Sequence, residues 1–284
     1  MKALLVEGLF HWGFSVRVVT ESAGAISYHV PPPSTLMGAL AYGLVINRAY
    51  PEVIVENEKT IKSSVAKLKD VVKWATFAFV NGSSKISAVR YSDFIRSFRL
   101  PYQRGVRHEE PDYWYGISAS GKVYALGTGF KILYFLNTKS LEENGISDLE
   151  LFKAAYSIIR LGAKEGIISI TGVSISKKMS KVSPPINTDY YFPCRLGEIA
   201  NTDYERISLP IIKDAIWEFR PSTPIYIHEH EEYYIPKRSI GFTINPFTMK
   251  VKKLSDDAVA LKADFENMRS EIAVVPVDTF NEKR

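Results

Sequence analysis

Three consecutive prolines at residues 31–33 restrict the fold of this chain more than any other feature. Proline fixes φ and lacks an amide hydrogen, so this segment has to be extended and cannot lie inside a sheet. The apolar, β-prone residues 2–19 before it predict one long or bent strand. Leu36, Leu40 and Leu44 follow at helical spacing. The prolines therefore separate a strand from a helix.

The start and the packing of that helix are also indicated by the sequence. Ser34 or Thr35 has the side-chain oxygen that a helix N-cap needs, so one of them is expected to cap the helix. Gly38, Ala41 and Gly43 are small and predict close packing of the helix against a sheet.

The remaining elements of the first 180 residues complete a recognisable order. The pattern predicts a strand at residues 74–79, a charged insertion, a strand at 122–137, a helix at 147–161 and a strand at 167–175. Ser147 and Glu150 have the spacing of a capping box, and Gly162 is expected to end the helix in a left-handed conformation. The order matches the α+β, ferredoxin-like βαββαβ plan that RNA-recognition domains share.

The C-terminal part of the chain has a different pattern. Pro184-Pro185 marks a plausible boundary, and short strand-like runs follow at residues 224–227, 233–235 and 271–277. We therefore expect a first domain at residues 1–180, interrupted by an insertion at about residues 80–121. A smaller β-rich region is expected at residues 181–284.

The insertion contains a basic arm, which we define as residues 85–107. Its basic residues are Lys85, Arg90, Arg96, Arg99, Arg104 and Arg107, and its one acid is Asp93. Six positive charges against one negative charge give the arm +5, equal to the formal net charge of the whole chain. Arginine forks suit phosphate and base edges. The interleaved aromatic residues are Tyr91, Phe94, Phe98 and Tyr102. Each could stack an unpaired base, worth about 1–3 kcal/mol.

The arm is therefore predicted to bind single-stranded nucleic acid. The alternative is a solvated charged hairpin whose aromatic residues pack on the body. The next residues, 108–112, are mainly acidic and are followed by the aromatic residues 113–115. Because acids repel phosphate, this stretch is expected either to meet a protein neighbour or to pair with the arginines of the arm.

Other function classes find little support. Cys194 is the only cysteine, which excludes an intrachain disulfide and a multi-thiolate metal site, and it is expected in a plain turn. His228 and His230 would share one face of a strand, but no third metal ligand accompanies them.

No Walker loop, nucleophile elbow or dinucleotide fingerprint is present, so no cofactor is predicted. No apolar run approaches the roughly 20 residues of a membrane span, so a cytoplasmic protein without a membrane partner is expected.

Two stretches carry a resemblance to a known family. Residues 32–40, Pro-Pro-Ser-Thr-Leu-Met-Gly-Ala-Leu, resemble the signature of the fifth Cas family, CRISPR-associated proteins of the RAMP superfamily. Residues 160–169, Arg-Leu-Gly-Ala-Lys-Glu-Gly-Ile-Ile-Ser, resemble that family's helix, glycine turn and strand. The insertion corresponds to the family's protruding thumb. The resemblance covers roughly residues 1–180.

The resemblance implies a subunit of a Cascade interference complex in antiviral defence. Such a subunit binds the 5′ handle of the guide RNA (crRNA) and contacts the backbone and large subunits, and target DNA near the PAM end is a further expected partner. The archaeal type I-A subtype is indicated. Most such subunits are not nucleases, although one subtype cuts precursor crRNA.

Further RNA-binding candidates lie in the matching stretches. His11 and Trp12 could stack a handle base, although a core position for Trp12 is the alternative. The helix start at Ser34 and Thr35 offers amides to phosphate, unless it is a plain cap. Lys164 could contact phosphate, and Arg17 is a further candidate. From the arm we select Arg90, Arg96, Arg99, Tyr102, Arg104 and Arg107.

Two other functions stay open. A metal-independent endoribonuclease would need groups that move protons, and the candidates are His11, His29, His108, Tyr28 and Lys164. No pair of them has a convincing spacing. The other possibility is an unrelated α+β protein whose arm contacts protein.

Overall fold

A computed structural model of the chain describes most of its 284 residues. The described residues are 1–18, 26–48, 51, 53–57, 60–63, 70–80, 88–98, 105, 109–200, 204–211, 218–219, 229–240, 243–246 and 248–280. Within strands, the side chains of residues 56–57, 60, 90–98, 115–120, 218–219, 237–240 and 243–246 are not described.

The fold is mixed α+β, with strands in several small antiparallel sheets. The strands are β1 (Lys2–Phe10), β2 (Gly13–Phe14), β3 (Val53–Asn57), β4 (Thr60–Ser63), β5 (Val72–Val80), β6 (Ala88–Phe98), β7 (Tyr115–Tyr124), β8 (Gly129–Leu136), β9 (Ile168–Ile175), β10 (Lys178–Val182), β11 (Ile186–Thr188), β12 (Phe192–Pro193), β13 (Gly197–Ile199), β14 (Glu205–Pro210), β15 (Glu218–Phe219), β16 (His230–Ile235), β17 (Lys237–Ile240), β18 (Thr243–Pro246), β19 (Met249–Leu254), β20 (Ala258–Asp264) and β21 (Ser270–Pro276). The helices are α1 (Pro33–Asn47), α2 (Thr138–Glu143), α3 (Asp148–Tyr156) and α4 (Val277–Phe280). Short 3-10 turns occupy Pro111–Tyr113, Cys194–Leu196 and Glu266–Met268.

The central sheet has four strands in the order β5-β8-β1-β9. Every neighbouring pair is antiparallel. Along the chain, β1, α1, β5, β8, α3 and β9 follow the strand-helix-strand-strand-helix-strand order predicted from the sequence. The predicted long first strand is broken, since β1 ends at Phe10 and β2 joins a different sheet.

Helix α1 begins two or three residues earlier than the predicted caps imply, and its capping was predicted wrongly. Pro32 is the N-cap and no side chain caps the helix, so Ser34 and Thr35 lie inside the first turn. Proline at the first helical position explains this start, because its φ is already helical and its missing amide hydrogen costs nothing there. Gly43 packs against α3 rather than the sheet: a Cβ there would come within 2.2 Å of the Ala154 carbonyl oxygen.

Helix α3 confirms the predicted capping box but is shorter than predicted. The Ser147 side chain accepts from the Glu150 amide, and the Glu150 carboxylate accepts from the Ser147 amide. The helix ends at Tyr156, five residues before the predicted end. Ile159, three residues beyond that end, is 62% exposed. Gly162 has the predicted left-handed conformation, with φ +80°, but in a separate turn.

The insertion is built on a long antiparallel hairpin of β6 and β7. The pairing runs from Val89 opposite Tyr124 to Phe98 opposite Tyr115. This hairpin belongs to a five-stranded sheet in the order β17-β18-β6-β7-β2. Its returning strand therefore pairs with the residues that directly follow β1, and the base of the insertion is fixed to the central sheet's end.

C-terminal residues cover one face of the central sheet. The Thr76 hydroxyl on β5 donates to the Tyr191 carbonyl oxygen at 2.7 Å. Lys131 on β8 binds Glu271 on β21, with Nζ 3.0 Å from Oε1. The helices cover the opposite face, where the Tyr134 hydroxyl donates to the Leu36 carbonyl oxygen at 2.9 Å. Both faces of the sheet are thus buried.

One buried apolar cluster contains residues from both predicted domains, and a second cluster is confined to the C-terminal region. The division at residue 180 stays a prediction. Of the predicted C-terminal strands, residues 233–235 lie in β16 and 271–276 in β21. Residues 224–227 lie outside the described residues. No helix in the described part of the chain has the length and apolar composition that crossing a bilayer requires.

Candidate nucleic-acid interface

The turn after β1 lies between two other predicted elements. The His11 amide donates to the Ile167 carbonyl oxygen at 3.2 Å, just before β9. On the other side, the Ala125 amide donates to the Trp12 carbonyl oxygen at 2.7 Å, just after β7. Gly13 has φ +144°, and a Cβ there would lie 1.8 Å from the Val123 carbonyl oxygen. Only glycine allows this close approach of the turn to β7.

That approach assembles what we call the Trp12 cluster, formed by Trp12, Lys122 and Tyr124. The Lys122 ammonium lies over the Trp12 ring, 5.6 Å from its centroid. The Tyr124 ring lies 5.5 Å from the Trp12 ring, tilted by 54°. Trp12 is half-buried and Tyr124 is 38% exposed, so Trp12 does not occupy the core position considered as the alternative. Aromatic surface beside a cation suits an unpaired base and its phosphate.

His11 lies next to this cluster. Its Nε2 atom is 2.8 Å from the Ser169 hydroxyl oxygen on β9. Both side chains are exposed. The hydroxyl fixes the orientation of the imidazole ring at the surface, where a bound strand could reach it.

The second matching stretch forms a turn, residues 161–166, that holds Lys164 at the surface. The turn is closed by the Leu161 amide, which donates to the Gly166 carbonyl oxygen at 2.9 Å. A Cβ on Gly162 would lie 2.4 Å from the Ser15 carbonyl oxygen, so the turn and residue 15 are in direct backbone contact. Lys164 is exposed.

Ser15 joins that turn to the base of the insertion, which sequence reasoning missed. Its carbonyl oxygen accepts from the Ala163 amide at 2.8 Å. Its hydroxyl donates to the Gly121 carbonyl oxygen on β7 at 2.7 Å and is buried. Lys164 and the Trp12 cluster are thereby held on adjoining segments. No local signal distinguishes this serine, because its partners are distant in sequence.

The predicted arm residues are only partly described. The backbones of Arg90 and Arg96 lie on β6, opposite Val123 and Ile117. Arg90 thus stands across from the strand position between Lys122 and Tyr124. Arg99, Tyr102, Arg104 and Arg107 lie outside the described residues.

Two other predicted positions are separate from the cluster. Arg17 is exposed and its backbone bridges to Ser27. Ser34 and Thr35 are half-buried, and the Thr35 amide is already bound to the Pro32 carbonyl oxygen at 2.9 Å.

The catalytic candidates are mostly engaged elsewhere. Tyr28 is buried, and its hydroxyl lies 3.0 Å from Nε2 of His230. His29 pairs with Glu205, with Nδ1 3.0 Å from Oε1. His108 and His228 lie outside the described residues. Among the residues that the structure describes, no group of three or more His, Cys, Asp or Glu side chains is placed to hold a metal ion.

The acidic stretch after the arm is exposed. Glu109, Glu110 and Asp112 are all exposed, beside Tyr113 at 45% exposure. No ion pair joins these three acids to another described residue. The side chains of the arm's arginines are not described, so both expectations for this stretch stay predictions.

Two comparisons, one of the fold and one of the sequence, find CRISPR-associated proteins similar to this chain. The fold is similar to the crystal structure of a CRISPR protein from Archaeoglobus fulgidus, with a TM-score of 0.56 and 18% identity over 97% of this chain and 100% of that one. The chain is also 31% identical, over 89% of its length and 88% of the relative's, to "CRISPR-associated protein Cas5 2" of Saccharolobus solfataricus. A second relative from that organism, "CRISPR system aCascade subunit Cas5 1", is 31% identical over 64% of this chain and 68% of its own length. No family model matches the chain.

This protein belongs to the Cas5 family of CRISPR-associated proteins. The resemblance found in residues 32–40 and 160–169 is thus confirmed, and the alternative of an unrelated α+β protein is wrong.

Proposed function

We propose that this chain is a non-catalytic subunit of a CRISPR Cascade complex that binds and caps the 5′ handle of crRNA. The observation that carries the proposal is the Trp12 cluster, which places a lysine and two aromatic rings at the base of the arginine-rich arm. Stacking surface and positive charge together are what an unpaired RNA strand needs. Membership of the Cas5 family supports the same function.

The covered sheet supports a position of the RNA at the end of the sheet rather than on its face. We interpret β1, α1, β5, β8, α3 and β9 as a ferredoxin-like RAMP domain with the insertion as its thumb. RNA-recognition domains of that plan stack bases on the open sheet face. Here that face is buried under residues such as Tyr191 and Glu271, so the RNA runs along the sheet's end and the thumb.

The proposed RNA contacts lie on the segment after β1, the first turn of α1, the turn at residues 161–166 and the thumb. They are His11, Trp12, Arg17, Ser34, Thr35, Arg90, Arg96, Arg99, Tyr102, Arg104, Arg107 and Lys164. We propose that the complex is cytoplasmic and of the archaeal type I-A, with the Cascade backbone and large subunits as protein neighbours and target DNA near the PAM end as a further contact. The name of the relative called an aCascade subunit supports the assembly. The exposed acidic stretch suits a protein neighbour better than phosphate.

Salt dependence tests the proposal directly. About five phosphate contacts on a single strand give a slope of about −3.5 for log affinity against log salt. Affinity for a short crRNA 5′ fragment should then fall about a hundredfold between about 50 and 200 mM salt. A flat response would contradict the proposal.

Two triple variants distinguish a specific role of the arm in RNA binding from a general effect of positive charge. Replacing Arg96, Arg99 and Arg104 together by alanine should make the slope shallower by about 2. The control removes the same charge at exposed positions outside the thumb, with Lys139, Lys153 and Lys252 replaced by alanine. Equal effects of the two triple variants would show that the arm has no special role.

The endoribonuclease is tested with the same protein. Repeat RNA incubated with excess protein in EDTA should stay intact if the subunit only binds. Specific cleavage at one site would overturn the non-catalytic assignment, and His11→Ala would then show whether the one exposed, described histidine next to the cluster takes part.

A further inference from the structure

The Trp12 cluster is held together by backbone contacts that the sequence did not predict. Lys122 and Tyr124 were part of no predicted site, since they lie beyond the basic arm, on the returning strand β7. Three backbone features bring these two residues to Trp12. Gly13 permits contact with the Val123 carbonyl oxygen, β2 pairs with β7, and Ala125 donates to the Trp12 carbonyl oxygen.

The geometry of the cluster limits how a ligand can enter. Lys122 lies over one side of the Trp12 ring, and the Tyr124 ring meets Trp12 at 54° rather than parallel to it. A planar ligand therefore finds no space between the two aromatic rings and has to stack on the exposed part of the half-buried Trp12 ring. The ammonium group then lies within reach of an anion attached to that ligand.

We propose that the Trp12 cluster is a one-nucleotide subsite: one unpaired base stacks on Trp12 and the adjoining phosphate binds Lys122. This rests on the proposed function, because the nucleotide belongs to the bound RNA. Tyr124 is a positioning residue that supports the Trp12 ring. The subsite joins the RNA path on the turn after β1 to the path on the thumb.

The strand that carries the basic arm runs directly beside Lys122 and Tyr124. The Arg90 backbone is paired with Val123, directly between Lys122 and Tyr124 in the sequence of β7. The strand that carries the basic arm and the strand that carries the subsite are thus hydrogen-bonded neighbours.

Two synthetic probes separate base stacking from phosphate binding: an octamer of riboadenosine, and the matching abasic octamer with ribose and phosphate only. In the wild-type full-length protein, fluorescence anisotropy gives the ratio of the two affinities. Trp12→Leu keeps an apolar side chain but removes the flat ring, and should lower that ratio about tenfold. Trp12→Phe should restore most of it, because phenylalanine still offers a π-face.

The lysine is tested by the salt slope, which a purely structural role would not move. Lys122→Gln should make the slope shallower by about 0.7 for both octamers, since a phosphate contact does not depend on the base. The matched control is Lys139→Gln, at an exposed position on α2 near the opposite end of the central sheet. It should leave the slope unchanged.

The outcomes are distinct. An unchanged affinity ratio in Trp12→Leu overturns the stacking subsite, and an unchanged slope in Lys122→Gln overturns its phosphate contact. In either case the proposed function still holds if RNA binding depends on salt and is weakened by the triple arginine substitution in the arm. If the wild type binds neither octamer at low salt, the proposed function itself fails. Thermal melting of each variant shows that it is folded.

Discussion

Replacing Glu271 by glutamine should destabilise the protein more than any surface charge substitution. The Glu271 side chain is only 7% exposed and accepts from three donors. Lys131 Nζ lies 3.0 Å away, the Tyr190 hydroxyl 3.1 Å and the Arg269 guanidinium 3.0 Å. Burial raises the pKa of Tyr190 well above its ordinary value, with Glu271 contributing further, so its hydroxyl stays a donor.

The degree of burial determines which energy scale applies. Exposed ion pairs contribute about 0–1 kcal/mol, whereas breaking a buried pair costs about 3–5 kcal/mol because one charge is left without a partner. Lys131 is 17% exposed and would lose its main partner, so the buried scale applies. At about 2 °C per kcal/mol for a chain of this size, the melting temperature should fall by about 6–10 °C.

Circular dichroism melts at pH 7 measure this change. The control is Glu143→Gln, whose carboxylate is 60% exposed and lies 3.9 Å from Lys139, and it should shift the melting temperature by no more than about 1 °C. Lys131→Met should also cost less in the Glu271→Gln background than in the wild type, because the two groups interact. Equal shifts for Glu271→Gln and Glu143→Gln would refute the reasoning.

Three further results are expected. Hydrogen bonding to the Ser147 amide, helped by the neighbouring guanidinium of Arg48, lowers the pKa of Glu150. The ionised Glu150 carboxylate therefore stabilises the fold at neutral pH, and this stabilisation is lost as the pH falls through the lowered pKa. Melting of Glu150→Gln should therefore differ from the wild type at pH 7 and converge with it at low pH. Burial raises the pKa of the Cys194 thiol to about 12, and alkylation by iodoacetamide at pH 8 should be at least about 100-fold slower in the folded than in the unfolded protein. Gly162→Ala should destabilise by more than about 3 kcal/mol in urea unfolding, whereas Gly127→Ala, with φ +62° and nothing within 4 Å of the new Cβ, should cost only about 1–2 kcal/mol.

Local signals predicted most elements of the first 180 residues. The three prolines correctly separated the N-terminal strands from α1, which begins at the third proline, because proline limits its own backbone wherever it occurs. The Ser147 and Glu150 spacing predicted a cap whose two hydrogen bonds are both present. The prediction failed where competition between neighbours decides the outcome. Pro32 displaced Ser34 and Thr35 as the cap, and α3 ended at Tyr156 although its apolar pattern continues.

The candidate site was predicted only in part. His11 and Trp12 were identified, and both lie at the surface beside the base of the insertion. Lys122, Tyr124 and Ser15 were not, because each gains its role from residues that are far away in the sequence. A single lysine or tyrosine in a strand is common and gives no signal by itself.

The sequence by itself determined the family, the order of strands and helices, and the concentration of positive charge in one segment. These follow from short-range patterns and motifs that do not depend on the rest of the chain. Only the tertiary structure decided that C-terminal residues cover the central sheet and that Trp12 meets Lys122. Both depend on contacts between segments more than a hundred residues apart along the chain, and such contacts are set by the packing of the whole molecule.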